Sequence, residues 1–478
     1  MSNRTKKFLL VTGAITIVAF AGILALRFNN NAFTPQIEAA LSTALGMDVR
    51  IKGRMDISLF PGLGLSLKDV SMRSNELDVA TIEKIKLDLN LMALAGFEIE
   101  IIQVGLYKPV ISILRSADGL LNIKPPVRAA LGKLFAIKKF SVFQGSLIYD
   151  DEVSGQKIEG GDIDLDIKFN FPSGTNGTDP FRKISLTGDI KCKILRINGV
   201  TVMGLVMSAR GAKGIFDINP FGINIAGGTG SGSLHADLTG PSPQYRFTYN
   251  LDQVPIEELL DLYARGKIPP KTIEGPINLS VDLTAMGKSA DEVKRSLSGD
   301  LSLNGENLML YNMDIDALIM KNERSQNFNL VDLAAFLLAG PIGPVLTKSY
   351  NFARLYEESQ GGKGVVRKLV SVWKVENGIA GARDVALATK HQRIAMTGGL
   401  NFINERFEDV TVAVLDKRGC AVYSEKVKGP FRDPQIAKES IFASIAGSVM
   451  NPLKEGWDFL RGEECTVIYT GSVAQPEE

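Results

Sequence analysis

The side chains that carry most catalytic and metal chemistry are scarce here: two histidines and three cysteines among 478 residues. His235 and His391 lie far apart in strand-like segments, and no His-x-x-x-His or Cys-x-x-Cys occurs. A zinc or redox centre needs such spacing to bring its ligands onto one ion. Both histidines therefore read as surface residues. Gly287-Lys288-Ser289 ends like a phosphate-binding loop, whose backbone N–H groups would cradle phosphate. Position 282, however, is Asp where that motif needs Gly, so a turn followed by a helix N-cap fits better. Gly227 to Gly232 contains neither a dinucleotide fingerprint nor a nucleophile elbow and reads as a flexible strand connection. Asp162, Asp164 and Asp166 could suggest calcium, but spaced by two they more simply form the wetted face of a strand. Cys192 shares parity with Ile184, Leu186, Ile190 and Ile194, which predicts a buried free thiol. Nucleophile, base and metal ligands are not assembled anywhere, so the expectation is a protein that is no enzyme and holds no cofactor or metal.

The elements that carry these residues are mostly strands. Val49, Ile51, Met55, Ile57 and Leu59 alternate with Arg50, Lys52, Arg54, Asp56 and Ser58, interrupted on the apolar side only by Gly53. The same period returns at Ile85, Leu87, Leu89 and Leu91, and at Ile163, Leu165, Ile167, Phe169 and Phe171. Tyr245, Phe247, Tyr249 and Leu251 repeat it, as do Ile277, Leu279, Val281 and Leu283, then Val410, Val412 and Val414. Each such strand has one dry and one wet face. Helices are few. Residues 29–46 predict one, with Thr34 as N-cap, Pro35 at the first helical position and Gly46 as the stop. Ser289-Ala290-Asp291-Glu292 opens a second with a capping box and ends near Leu297. The apolar run Leu330 to Leu338 and the stretch from Gln435 to Leu460 predict two more. So many half-apolar strands need two facing sheets or one sheet curled lengthwise.

Ahead of them, Phe8 to Leu26 carries no charge and as a helix would be about 28 Å long, close to the hydrocarbon core of a bilayer. Arg4, Lys6 and Lys7 precede it, which predicts a retained anchor with the N-terminus in the cytoplasm and the bulk exported. A signal peptide cleaved after Ala21 is the alternative. Net charge +1 and pI about 7.6 give no basic footprint for nucleic acid.

LGMDVRIKGRMDISLFPGLGLSLKDVSM resembles the opening of the AsmA family. IEKIKLDLNLMALAGFEIEIIQVGLYKPVISILRSADGLLNI is similar to its next unit, with Lys108-Pro109 and Asp118-Gly119 before Asn122. SADEVKRSLSGDLSLNGENLMLYNMDIDALI and the closing CTVIYTGSV resemble its C-terminal half. The resemblance implies an inner-membrane anchor bearing a periplasmic, elongated, U-shaped sheet with an apolar lumen. It also implies a role in outer-membrane biogenesis and carriage of phospholipid, as in chorein-type bridge-like proteins. It transfers no catalytic residue. Its C-terminal arrangement implies a disulfide between Cys420 and Cys465 in an oxidising periplasm.

The expectation is thus a mainly β protein: residues 1–28 an anchor, 29–250 and 251–478 two β regions. Ile57, Leu87, Ile167, Phe247 and Val281 are the candidate groove residues. The expected partners are membrane phospholipid, the inner membrane and envelope proteins. The alternative is a non-catalytic periplasmic scaffold or assembly factor for outer-membrane proteins, in which the same faces fill an ordinary core. Aromatic content of 7% and 47 glycines favour the groove.

Overall fold

The computed structural model describes residues 34–58, 62–74, 77–90, 101–123, 137–170, 184–264, 273–322, 362–431, 434–439 and 467–476. The proposed anchor at 8–26, the apolar run at 330–338 and Cys465 lie outside these residues. Among the described residues, no helix is long and apolar enough to cross a membrane. The chain divides into two compact units, Met1–Lys213 and Gly214–Glu478.

The first unit begins with α1 (Thr34–Leu45), which Gly46 ends at φ +67° with its N–H on the Ser42 carbonyl at 2.9 Å. Among the described residues nine strands follow: β1 (Asp48–Ile51), β2 (Met55–Ser58), β3 (Gly64–Ser74), β4 (Leu77–Leu89), β5 (Ile101–Arg115), β6 (Lys139–Asp151), β7 (Gln156–Asn170), β8 (Ser185–Ile197) and β9 (Val200–Ala212). Both β1 and β2 pair with β3, and each later strand pairs with the one before it. The single strand expected from Val49 onward is broken at Lys52–Arg54. Opposite the break Asp69 takes φ +52°, and the Lys52 and Gly53 N–H groups donate to the Asp69 and Lys68 carbonyls at 3.0 Å. A Cβ at Gly53 would stand 2.6 Å from the Lys68 carbonyl oxygen, so glycine alone fits this bulge. The ladder is antiparallel except between β5 and β6, which run parallel. A parallel pair needs a crossover of a dozen or more residues, and residues 116–138 supply it.

The second unit contains β10 (Ile215–Ile225), β11 (Gly228–Asp237), β12 (Gln244–Pro255), α2 (Ile256–Ala264), β13 (Ile273–Glu274), β14 (Pro276–Met286), α3 (Ala290–Ser296) and β15 (Ser298–Tyr311). After them come α4 (Ile315–Asn322), β16 (Lys363–Glu376), β17 (Ile379–Ala388), β18 (Arg393–Asn401), β19 (Arg406–Leu415), β20 (Ala421–Pro430) and β21 (Gln435–Glu439). All are antiparallel, with β12 pairing past β13 to β14. The capping box forms as the residues predict: Ser289 Oγ accepts the Glu292 N–H at 3.2 Å, and Glu292 accepts the Lys288 N–H at 2.7 Å. Two sequence expectations change. Gln435–Glu439, expected to open a helix, is a strand, because its backbone completes the ladder on Ser424–Lys428. Gly228–Gly232, expected to be a connection, is the first half of β11.

The main core lies on one face of β15–β20, under Ile256, Leu259 and Leu260 of α2 and Ile315, Leu318 and Ile319 of α4. The opposite face of β16–β19 is also dry. There Ala386, Ala395 and Ala413 form one cross-strand row, and Tyr469 and Val473 of the C-terminal segment pack on them. Small side chains are what let that segment approach. It is fixed by Tyr469, whose hydroxyl donates to Asp384, and by Arg393, which donates to the Val473 carbonyl at 3.2 Å.

Candidate functional site

In the first unit the apolar strand faces line up in register. One row runs Met55–Leu67–Ile85–Leu106–Val142–Leu165–Ile190–Met207 across eight strands without a polar residue. Its neighbour runs Ile57–Leu65–Leu87–Val104–Phe140–Ile167–Gly188–Ala209. Three of the five candidate residues therefore share one row, which periodicity in separate strands could not establish. Cover along the rows is uneven. At β1–β4, Ile37 and Leu41 of α1 help close a core in which Leu67 is fully buried and Leu87 is 9% exposed. From β6 onward Phe140, Leu165, Ile167, Ile190 and Met207 are only half-buried.

The second unit shows the reverse gradient. One row runs Ile218–Leu234–Phe247–Leu283–Gly299–Val375–Ala380–Leu400. Ile218, Leu234, Phe247 and Leu283 are half-buried, whereas Val375 and Ala380 are fully buried. The adjacent row runs Phe221–Gly232–Tyr249–Val281–Leu301–Trp373. Val281 is half-buried and packs against the core cluster, and Trp373 is sealed with its indole N–H on Ser371 Oγ at 2.8 Å. Both rows thus pass from an open face at β10–β12 to a closed core by β16.

At the open end β11 contributes Gly228, Gly230 and Gly232 on the apolar side, so the strand offers no side chain over three consecutive positions. Its neighbours lean into the space. A Cβ on Gly230 would lie 2.6 Å from the Tyr249 hydroxyl, 2.8 Å from Ile223 Cγ1 and 2.9 Å from Leu251 Cδ2. Tyr249 is stacked on Phe247 at 6.0 Å between centroids and tilted against Phe221 at 5.2 Å. Its hydroxyl oxygen is buried and has no hydrogen-bond partner among the described residues. An unpartnered buried hydroxyl carries a desolvation penalty of about 1–3 kcal/mol, and the same burial pushes its pKa up to about 12. Sequence reading placed Tyr249 on the apolar side but missed the site; the period-2 spacing of Gly228, Gly230 and Gly232 was the available signal.

The polar residues weighed for chemistry lie off these apolar rows, and His391, expected in a strand, sits in the turn between β17 and β18. Asp162 and Asp164 are exposed; Lys139 Nζ reaches Asp166 at 3.0 Å, and Lys193 Nζ reaches Asp162 at 3.7 Å. His391 is exposed, and His235 pairs on the surface with Asp217 at 2.6 Å. Among the described residues, no group of three His, Cys, Asp or Glu side chains could hold a metal ion. Cys192 is free and buried, its thiol donating to the Ile194 carbonyl at 3.1 Å, and desolvation raises its pKa. Cys420 is disulfide-bonded, and it also pairs in an antiparallel bridge with Val467.

Each unit is thus a long strand ladder whose apolar face is covered at one end and half-open at the other. The model of the AsmA family matches residues 1–193 and 178–340, together most of the chain. The chain belongs to the AsmA family. A search of curated proteins found no match.

Proposed function

We propose that this protein binds the acyl chains of phospholipid along its half-open apolar strand faces, supporting lipid transport to the outer membrane and outer-membrane biogenesis. In this reading residues 8–26 anchor it in the inner membrane with the N-terminus in the cytoplasm. The bulk is periplasmic, where Cys465 pairs with Cys420, and the protein catalyses no reaction. Envelope proteins are its expected partners at either end. The observation that carries the reading is the loss of cover along a continuous row: Met55, Leu67 and Ile85 are buried, whereas Leu165, Ile190 and Met207, further along it, are half-open. Such a face gains about 0.8 kcal/mol for each methylene it takes from water, so a chain of ordinary length binds without a polar anchor. Family membership supports the same role. The scaffold reading is favoured only for β16–β19, whose two faces are both packed.

Lipid extraction and native mass spectrometry of the detergent-purified full chain test it. The parent should carry phospholipid, and Phe247→Asp should lose it while remaining folded. A parent that never carries lipid, with Phe247→Asp unfolded, would replace transport by the scaffold.

A further inference from the structure

Within that lipid-binding reading, we infer that Tyr249 is a specificity residue whose hydroxyl donates to the acyl-ester carbonyl of a glycerolipid lying on β10–β12. The argument starts from what surrounds it. On the apolar side, the three rows through β10, β11, β12 and β14 hold Ile218, Leu234, Phe247 and Leu283; Phe221, Gly232, Tyr249 and Val281; and Ile223, Gly230, Leu251 and Leu279. Tyr249 is the one polar side chain among these twelve. Its hydroxyl has no partner among the described residues, so a donor stands ready inside hydrocarbon-like surroundings.

The chemistry of its complement follows. A carboxylate or phosphate would bring a charge onto a face whose cations, such as Arg246, are committed on the other side: Arg246 pairs with Asp282 at 2.9 Å. A free fatty acid or a lipid headgroup is therefore a poor occupant for this position. A neutral acceptor bonded directly to hydrocarbon is required, and the ester carbonyl at the root of an acyl chain is that group. Geometry allows the meeting. The ring lies over Gly230 and Gly232, where no Cβ hinders it, and the residue as a whole is only half-buried. To meet a lipid, the buried hydroxyl must rotate off the glycine strand toward the open face. Gly230 is then a positioning residue, since any side chain there would displace the hydroxyl.

Ether-linked lipids separate this contact from acyl-chain binding in general, because they keep chains and headgroup and lack the carbonyls. The full chain in detergent would be exchanged with dioleoyl phosphatidylethanolamine and with its dialkyl ether counterpart, and bound lipid counted by native mass spectrometry. The parent should prefer the ester by about fivefold, the worth of one net hydrogen bond. Tyr249→Phe should bind both equally at the parent's ether level, with a melting temperature equal to or above the parent's, because it removes only an unsatisfied oxygen. Equal binding of the two lipids by the parent, or a preference that survives in Tyr249→Phe, would falsify the ester contact while leaving acyl-chain binding intact. If the parent binds neither lipid, the lipid-binding reading itself fails.

Discussion

Asp151 illustrates what a single buried carboxylate does where one strand turns into the next. It ends β6 and closes the turn to β7: Ser154 Oγ donates to it at 2.7 Å, the Val153 and Ser154 N–H groups at 3.0 and 3.2 Å, and Arg115 at 3.3 Å. The Ser154 hydroxyl bond is the largest of the effects that hold its pKa at about 2. The unfolded value is near 3.9, so the unfolded chain binds the extra proton. The stabilisation is complete above about pH 4 and fades as pH falls through about 2. Asp151→Asn should lower the melting temperature at pH 7, and the gap to the parent should shrink between pH 4 and pH 2. A gap that stays constant across that range would show that the carboxylate's charge plays no part. The sequence alone does not say which of Asp150 and Asp151 turns inward. The fate of Cys192 was legible, because its strand alternates cleanly. That of Tyr249 was not, because its unpartnered hydroxyl depends on glycines in a neighbouring strand.

At the scale of elements, α1 does more than fill its predicted place after residue 33. The outer edge of β1 exposes backbone N–H groups, the standing hazard of any sheet edge. Two helical side chains one turn apart meet two of them: Ser42 Oγ accepts from Val49 at 2.9 Å and Glu38 Oε1 accepts from Ile51 at 2.6 Å. The match is geometric, since four helical residues rise about 6 Å and two strand residues about 6.6 Å. Replacing both, as Glu38→Ala with Ser42→Ala, should cost about 2 kcal/mol, roughly one net hydrogen bond each. It should also promote edge-to-edge self-association. Urea unfolding and light scattering would read the two effects, and a double variant of parental stability that stays monodisperse would dismiss the edge cover. The capping box of α3 and the alternating strands were legible because their signals are local. The breaks and bulges were less so: Gly53 is forced by a carbonyl on β3, and Gln435–Glu439 becomes a strand only because β20 offers it a free edge.

At the scale of the whole molecule, the feature that separates conduit from scaffold is where the apolar face is covered. Periodicity marks dry faces equally at Leu87, Ile167, Phe247 and Val412, and cannot say which of them meets another element. That depends on α1, α2 and α4, of which only α1 had a readable sequence signal. Leu87 and Ile167 make the sharpest comparison, since they lie in one cross-strand row about 14 Å apart, three strand spacings. An Asp at Leu87 would be desolvated without a partner in a closed core, which should cost several kcal/mol and unfold the first unit. An Asp at Ile167 keeps water on a half-open face. It should unfold only slightly earlier in urea than the parent yet sharply reduce co-purified lipid. Measuring both variants by urea unfolding and lipid extraction ties stability and occupancy to the same row. Equal, large destabilisation by the two substitutions would mean that the row is packed along its whole length, and the open apolar face would have to be abandoned.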